Sequence, residues 1–198
     1  MATKRNHRGR KIPEVLTDQE RVALLYQPNP RAPTGLRNLC LLVLMSNLGL
    51  RASEALHLRT RDLDWTSGKL TVKNGKGGKD RVLWLNTDDL VLIQRWREKR
   101  PVSADLLFTT LKGRRLSDRY LRAMVKRLGL KAGLSKDLHP HLLRHTFATD
   151  LYRATRNIRL VQKALGHADL STTMIYTHIV DAELEGALRT LRNEHEGA

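Results

Sequence analysis

His139-Pro140-His141-Leu142-Leu143-Arg144-His145-Thr146-Phe147-Ala148-Thr149-Asp150, followed by Leu165-Gly166-His167 and then Tyr176-Thr177, is the stretch around which the chain is read. Pro140 suits the first turn of a helix, so His141, Arg144 and His145 begin one together. Residues three or four apart share a helix face, which sets His141 beside Arg144. A guanidinium is a planar fork matched to phosphate oxygens, and an imidazole can carry a proton near neutral pH. Such a pair suits a phosphodiester whose charge must be neutralised while a proton moves. Read singly, each has a plainer role: a His opening a helix can be a solvated cap, and the Arg an ordinary ion-pair partner.

The imidazoles of His139, His141 and His145 also raise the question of a metal. The zinc-protease helix requires Glu directly after its first His, and Leu142 occupies that place. Arg144 would put a cation beside the metal, and no Cys lies nearby to complete a site. No metal is expected.

Working outward, the 198 residues fit one domain, and 40% hydrophobic residues suffice for a packed core. Lys and Arg number 36 against 20 acids, a net +16 that calls for a polyanionic partner. The longest apolar run, Leu39 to Leu50, includes Ser46 and Asn47 and is too short to span a bilayer. The N-terminus lacks an apolar signal core, and the lone Cys40 reads as core filler in a reducing compartment. Nucleic acid, not membrane, is the expected partner, and the cytoplasm, on the nucleoid, the expected location.

Residues 1–15 form a basic arm carrying Lys4, Arg5, Arg8, Arg10 and Lys11. Thr17-Asp-Gln-Glu20 is a capping box that opens the first helix. A second helix from about Thr34 is apolar nearly all round and closes at Gly49. Arg51 then begins a third, with Glu54 three residues on to hold it. Lys69–Lys73 and Arg81–Leu85 alternate polar and apolar around a Gly- and Lys-rich turn, as a hairpin does. That turn does not fit a nucleotide-phosphate loop, because Lys79 precedes Asp80 and a strand follows. An amphipathic helix spans 87–100, and Ser117 caps another whose polar side carries Arg119, Arg122, Lys126 and Arg127.

Together these pieces resemble the tyrosine recombinases, the group of phage integrases, Xer resolvases and Cre. The matching motifs are Leu48-Gly-Leu-Arg51-Ala-Ser-Glu54, the turn Gly75-Lys76-Gly-Gly-Lys-Asp-Arg81, His141-Leu-Leu-Arg144-His145, and Leu165-Gly-His167 with Tyr176 nine positions on (176 − 167). The resemblance covers the chain from about Leu16 onward. It implies a mainly α domain with a small antiparallel β-sheet, an α+β catalytic domain over residues 16–180 that cups double-stranded DNA.

The resemblance also implies roles. Tyr176 attacks the scissile phosphate and leaves a 3′-phosphotyrosyl bond, and strands exchange through a Holliday junction. Arg51 and Arg144 clamp the non-bridging oxygens, Lys76 protonates the departing 5′-oxygen, His141 serves as acid/base toward the tyrosine, and His167 bonds the phosphate. Glu54 supports Arg51. Lys79, Arg81, Arg119, Arg122 and Lys126 are the expected DNA contacts. The covalent bond conserves the phosphodiester energy, so no cofactor, ATP or metal is implied.

Most of the family carries a further N-terminal helical domain. Only about sixteen residues precede the first helix here, so the chain is expected to be a short form similar to the fimbrial-switch invertases, or a fragment. Rival readings are a silent DNA-binding regulator of the same fold and a type IB topoisomerase. Residues 181–198 hold a stripe of Leu184, Ala187, Leu188 and Leu191 at helical spacing. By resemblance this tail links neighbouring protomers in a tetramer on paired DNA sites, with accessory DNA-bending or regulatory proteins as possible partners.

Overall fold

The computed structural model describes residues 13–73 and 80–193, with side chains beyond residue 180 described at Asp181, Leu184, Glu185 and Leu188. The described residues form eight α-helices, two short 3-10 turns and one two-stranded antiparallel hairpin, the mainly α fold with a small sheet that the sequence leads one to expect.

Helix α1 (Asp18–Leu25) starts with the expected box: Thr17 Oγ1 accepts from the Glu20 amide, and the Glu20 carboxylate accepts from the Thr17 amide at 2.7 Å. Helix α2 (Pro33–Leu48) begins on Pro33 and is buried on nearly every side, the pattern of a central core helix. It packs against α4 (Thr87–Lys99) and α6 (Pro140–Thr155). It ends at Gly49 in the left-handed region (φ 62°), where a Cβ would lie 2.3 Å from the Phe147 ring. Both facts select glycine there. The chain then re-enters a helix at once, α3 (Ala52–His57), with Arg51 as its N-cap.

Strands β1 (Lys69–Val72) and β2 (Arg81–Trp84) pair antiparallel, Leu70 opposite Leu83 and Val72 opposite Arg81. Period-two alternation turns Leu70 and Val72 inward on β1, and Arg81 and Leu83 inward on β2. The tip of the hairpin, with Lys76 and Lys79, lies outside the described residues. Helix α5 (Asp118–Lys131) is capped by Ser117 and buries Leu121, Met124, Val125 and Leu128, leaving Arg119, Arg122 and Lys126 exposed.

Two apolar clusters result. The larger is built around α2 and includes Cys40, fully buried, whose thiol burial pushes up to about 12. The smaller lies among α6, α7 (Ile158–Leu165) and α8 (Ile175–Asn193), and its members are Ala148, Val161, Leu165, Tyr176 and Ile179. Val15 packs on that smaller cluster, the Leu16 amide donates to Thr146 Oγ1 at 2.9 Å, and Lys136 Nζ donates to the Val15 carbonyl at 2.9 Å. The packed chain therefore begins before the boundary expected at residue 16. The boundary expected at 180–181 falls inside α8, which carries Tyr176 and residues 181–193 as one helix with Leu184 and Leu188 exposed. Among the described residues no helix is long and apolar enough to cross a membrane.

Candidate active site

The capping position of Arg51 leaves its guanidinium one turn from Glu54, whose carboxylate lies inside the protein. Glu54 accepts from the Arg51 amide and from Arg51 Nη1, each at 2.7 Å, and from Arg81 Nη1 and Nη2, each at 2.8 Å. Arg144 Nη1 stands 3.8 Å from the same carboxylate. Burial works to raise the Glu54 carboxyl, but the Arg81 bonds and charge, the Arg51 amide and the Arg144 charge outweigh it and bring it down to about 2. Three guanidiniums on one carboxylate leave an excess of positive charge.

Arg144 is the tie between motifs. Its Nη1 donates to the Gly49 carbonyl and its Nη2 to the Leu165 carbonyl, both at 2.7 Å, so one side chain holds the loop before α3 against the loop after α7. Burial, then repulsion from Arg51, pulls its guanidinium down to about 10, so it remains charged at neutral pH.

His167 sits 3.1 Å from Arg144 Nη2 through Nε2 and 3.0 Å from Thr173 Oγ1 through Nδ1. A guanidinium only donates, so Nε2 accepts, and the ring proton lies on Nδ1 and is donated to Thr173. Burial and the neighbouring Arg144, Arg51 and Arg81 charges push the imidazole down to about 4, which leaves it neutral at pH 7. Gly166, in the left-handed region (φ 65°), closes α7 over the Arg81 stem: a Cβ there would lie 3.1 Å from Arg81 Cδ. Arg81 Nε donates to the Ala164 carbonyl at 2.7 Å.

Tyr176 is 1% exposed. Its hydroxyl lies 3.0 Å from His145 Nδ1, and the two rings are 5.8 Å apart. Burial raises the phenol to about 12 against the opposing pull of Arg144 and Arg51. Burial also lowers His145 to about 4. At neutral pH the phenol is protonated and the imidazole neutral, with one hydrogen in the bond between them.

The structure thus brings Arg51, Glu54, Arg144 and His167 together as one cluster, with Tyr176 packed beside it. One sequence expectation needs correction. Arg81 was expected at the DNA surface, but its side chain is only 5% exposed and forms a two-pronged ion pair with Glu54. The cause is strand parity: Arg81 shares the inward face with Leu83. His141 is expected to serve as acid/base toward the tyrosine; in this geometry the hydroxyl's partner among the described residues is His145. His141 is exposed, and burial together with His139, Arg122, Arg144 and Arg51 lowers its imidazole. The sequence motifs do not single out His145 as a site residue, although it directly follows Arg144. Of the remaining expected DNA contacts, Arg122 pairs with Asp118 and Lys126 stands 3.5 Å from Asp137.

A surplus of fixed guanidinium beside a phenol is an anion site with a latent oxygen nucleophile. The sequence matches the phage integrase family over residues 14–183, and the chain belongs to that family. Tyrosine recombinase XerC of Xanthomonas axonopodis pv. citri (strain 306) is 41% identical over 171 residues, 86% of this chain and 55% of the relative. Tyrosine recombinase XerD of Ralstonia nicotianae is 37% identical over 191 residues, 93% of this chain and 61% of the relative. Among solved structures, XerH site-specific recombinase bound to palindromic difH substrate, a post-cleavage complex, matches with a TM-score of 0.79 at 36% identity, over 92% of this chain and 54% of that one. XerA recombinase matches with a TM-score of 0.77 at 31% identity, over 96% and 67%. The chain therefore spans little more than half the length of several of these relatives.

The Glu54 hub predicts an acid-labile fold. The folded carboxyl (about 2) lies below its ordinary 4.5, so Glu54 stabilises the fold fully above pH 4.5 and loses that contribution as pH falls toward 2. Glu54→Gln should cost about 3–5 kcal/mol at neutral pH, because it strands buried guanidiniums. It should also flatten the loss of stability over that acid range. Urea unfolding of both proteins against pH checks this, and parallel curves would refute it.

Proposed function

We propose that the chain is the catalytic part of a tyrosine site-specific recombinase acting on double-stranded DNA. The observation that carries this reading is the Arg51–Arg81–Arg144 set on one carboxylate with Tyr176 beside it: a trigonal-bipyramidal phosphorane-like transition state would bring the missing negative charge. The relatives support it through their names, tyrosine recombinases XerC and XerD. The Tyr176 oxygen attacks phosphorus, a P–O bond to the 5′-oxygen breaks, and Lys76 returns a proton to that oxygen. Strand exchange then proceeds through a Holliday junction with neither metal nor ATP.

The described geometry is a resting one. Tyr176 is buried with its hydroxyl bonded to His145, and the hydroxyl must leave that bond before it can reach a phosphate. Likewise His167 Nε2, engaged by Arg144, must be released, and protonated or tautomerised, before it can donate to a phosphate oxygen. An incoming phosphate does the first part itself, since it is a stronger acceptor for Arg144 than a neutral imidazole. His141, exposed at the rim in the field of Arg51 and Arg144, serves as acid/base toward the phenol once it has swung out.

The first prediction concerns covalency. Wild-type protein with a nicked suicide duplex should form a protein–DNA adduct in EDTA, and Tyr176→Phe should bind DNA without forming one. An adduct that survives this change, or that needs Mg²⁺, refutes the proposal.

A second concerns Lys76. Lys76→Ala should slow cleavage of an ordinary phosphodiester by about 100-fold or more. A 5′-bridging phosphorothioate, whose sulfur departs without a proton, should restore most of the rate. Rescue of Lys79→Ala alone would move the role to Lys79.

The third concerns assembly. Leu184 and Leu188 on α8 are 59% and 53% exposed, which supports docking of the tail on a neighbouring protomer in a DNA-bound tetramer. Deleting residues 182–198 should leave melting temperature and monomeric DNA binding intact and abolish tetramer formation, read by sedimentation. Normal tetramers from the truncated chain would dismiss this role.

A further inference from the structure

A groove leads from Arg51 along α3 to a basic turn that the chemistry above does not use. A cleft of about 560 Å³ at Arg51 is lined also by Ser53, His57 and Arg59. A second hollow of about 460 Å³ shares Ser53 and His57 with it and continues to Arg115 and Arg122. The two form one path with His57, the last residue of α3, at the junction.

The hydrogen bonding at the junction is determinate. His57 Nδ1 lies 2.6 Å from the Ser53 carbonyl oxygen, which only accepts, so the ring proton is on Nδ1. Nε2 therefore offers its lone pair, and Arg115 Nη2 donates to it. Arg115 is exposed, on a turn closed by the Thr109–Arg115 bridge and by Gly113 at φ 75°.

Of Arg59, Arg115 and Arg122, which line the two hollows, Arg115 is the one with no carboxylate partner among the described residues. Arg59 pairs with Asp105 at 2.7 Å, and Arg122 pairs with Asp118. Among the described residues no carboxylate lies within ion-pair distance of Arg115. Its contact is a neutral imidazole, which orients the guanidinium and leaves its charge whole. One of its five N–H groups is committed, and the remainder suit a two-pronged bond to phosphate. The groove thus joins the oversubscribed cluster at Arg51 to a second uncompensated guanidinium, held in place in advance of any ligand.

We infer that Arg115 binds a backbone phosphate of the duplex flanking the scissile one, and that His57 is its positioning residue. This rests on the reading of Arg51 and Arg144 as the scissile-phosphate clamp. A strand with its scissile phosphate at Arg51 can leave the site along this groove, and a second fixed guanidinium sets which way the backbone runs before Tyr176 moves. The occupant is a phosphodiester chain rather than an acidic protein segment, because the groove opens directly from the site that takes one.

Cleavable duplexes are first recovered from a randomised nicked pool as covalent adducts of the wild-type protein. Each phosphate flanking the cleavage point is then replaced in turn by a neutral methylphosphonate, and binding of wild type and Arg115→Ala is compared. On the unmodified duplex Arg115→Ala should bind about tenfold more weakly, with a log–log salt slope smaller by about one. At one flanking position the methylphosphonate should abolish the difference between the two proteins. His57→Ala should show part of the same loss, coupled to the same phosphate, and His57→Gln, which can still donate to Ser53 and accept from Arg115, should recover most of it. Thermal melting identifies any variant that fails to fold; for such a variant Arg115→Lys, which keeps the charge but not the fork, takes its place and should lose affinity at the same phosphate. Equal affinity of Arg115→Ala and wild type, or a loss undiminished at every methylphosphonate, overturns the inference and leaves the Tyr176 chemistry standing. Failure of the wild type to yield any adduct overturns the recombinase reading and this inference with it.

Discussion

The Glu54 carboxylate meets three guanidiniums from separate parts of the chain: Arg51 on its own helix, Arg81 from the hairpin and Arg144 from α6. Two of the guanidiniums are also tied elsewhere, Arg81 to the Ala164 carbonyl and Arg144 to the carbonyls of Gly49 and Leu165. The carboxylate therefore determines where the hairpin base, the loop before α3 and the loop after α7 sit relative to one another. Such a network need not add net stability, because burying charges is costly. What it supplies is position. The Arg81 and Arg144 guanidiniums, desolvated and locked, cannot relax away from an anion, so their charge would be available to one that enters the cluster.

The Tyr176 phenol lies beside the guanidinium cluster but is held by apolar packing rather than by charge. Tyr176 belongs to the smaller apolar cluster, where burial raises its pKa to about 12 and His145 takes its hydroxyl bond. Withdrawing the phenol from that cluster costs on the order of 2 kcal/mol in re-exposed apolar surface. Because Tyr176 is the second residue of α8, any such withdrawal disturbs the start of the helix that also bears Leu184 and Leu188. The positions of Tyr176 and of Leu184 and Leu188 are thereby mechanically linked through one continuous helix.

Much of this was legible in the residues. The Thr17–Glu20 box, Gly49, Ser117 and Pro140 mark helix ends by local chemistry, and the helices begin or end there as those residues require. The parity of β2 is also legible: Arg81 stands two residues before Leu83 and so faces inward with it. His145 is a subtler case. Its spacing put it on the same helix as Arg144, but spacing alone does not say which of two imidazoles meets a tyrosine thirty-one residues away.

The sequence by itself determined the elements, the basic surface and the set of reactive side chains, because caps, periodicity and charge act through neighbours a few residues apart. Only the tertiary structure decided that Arg81 is a buried strut, that His145 rather than His141 holds the phenol, and that His167 presents a lone pair to Arg144. Those outcomes depend on which groups are desolvated together and on who donates to whom, and both are properties of the packed whole.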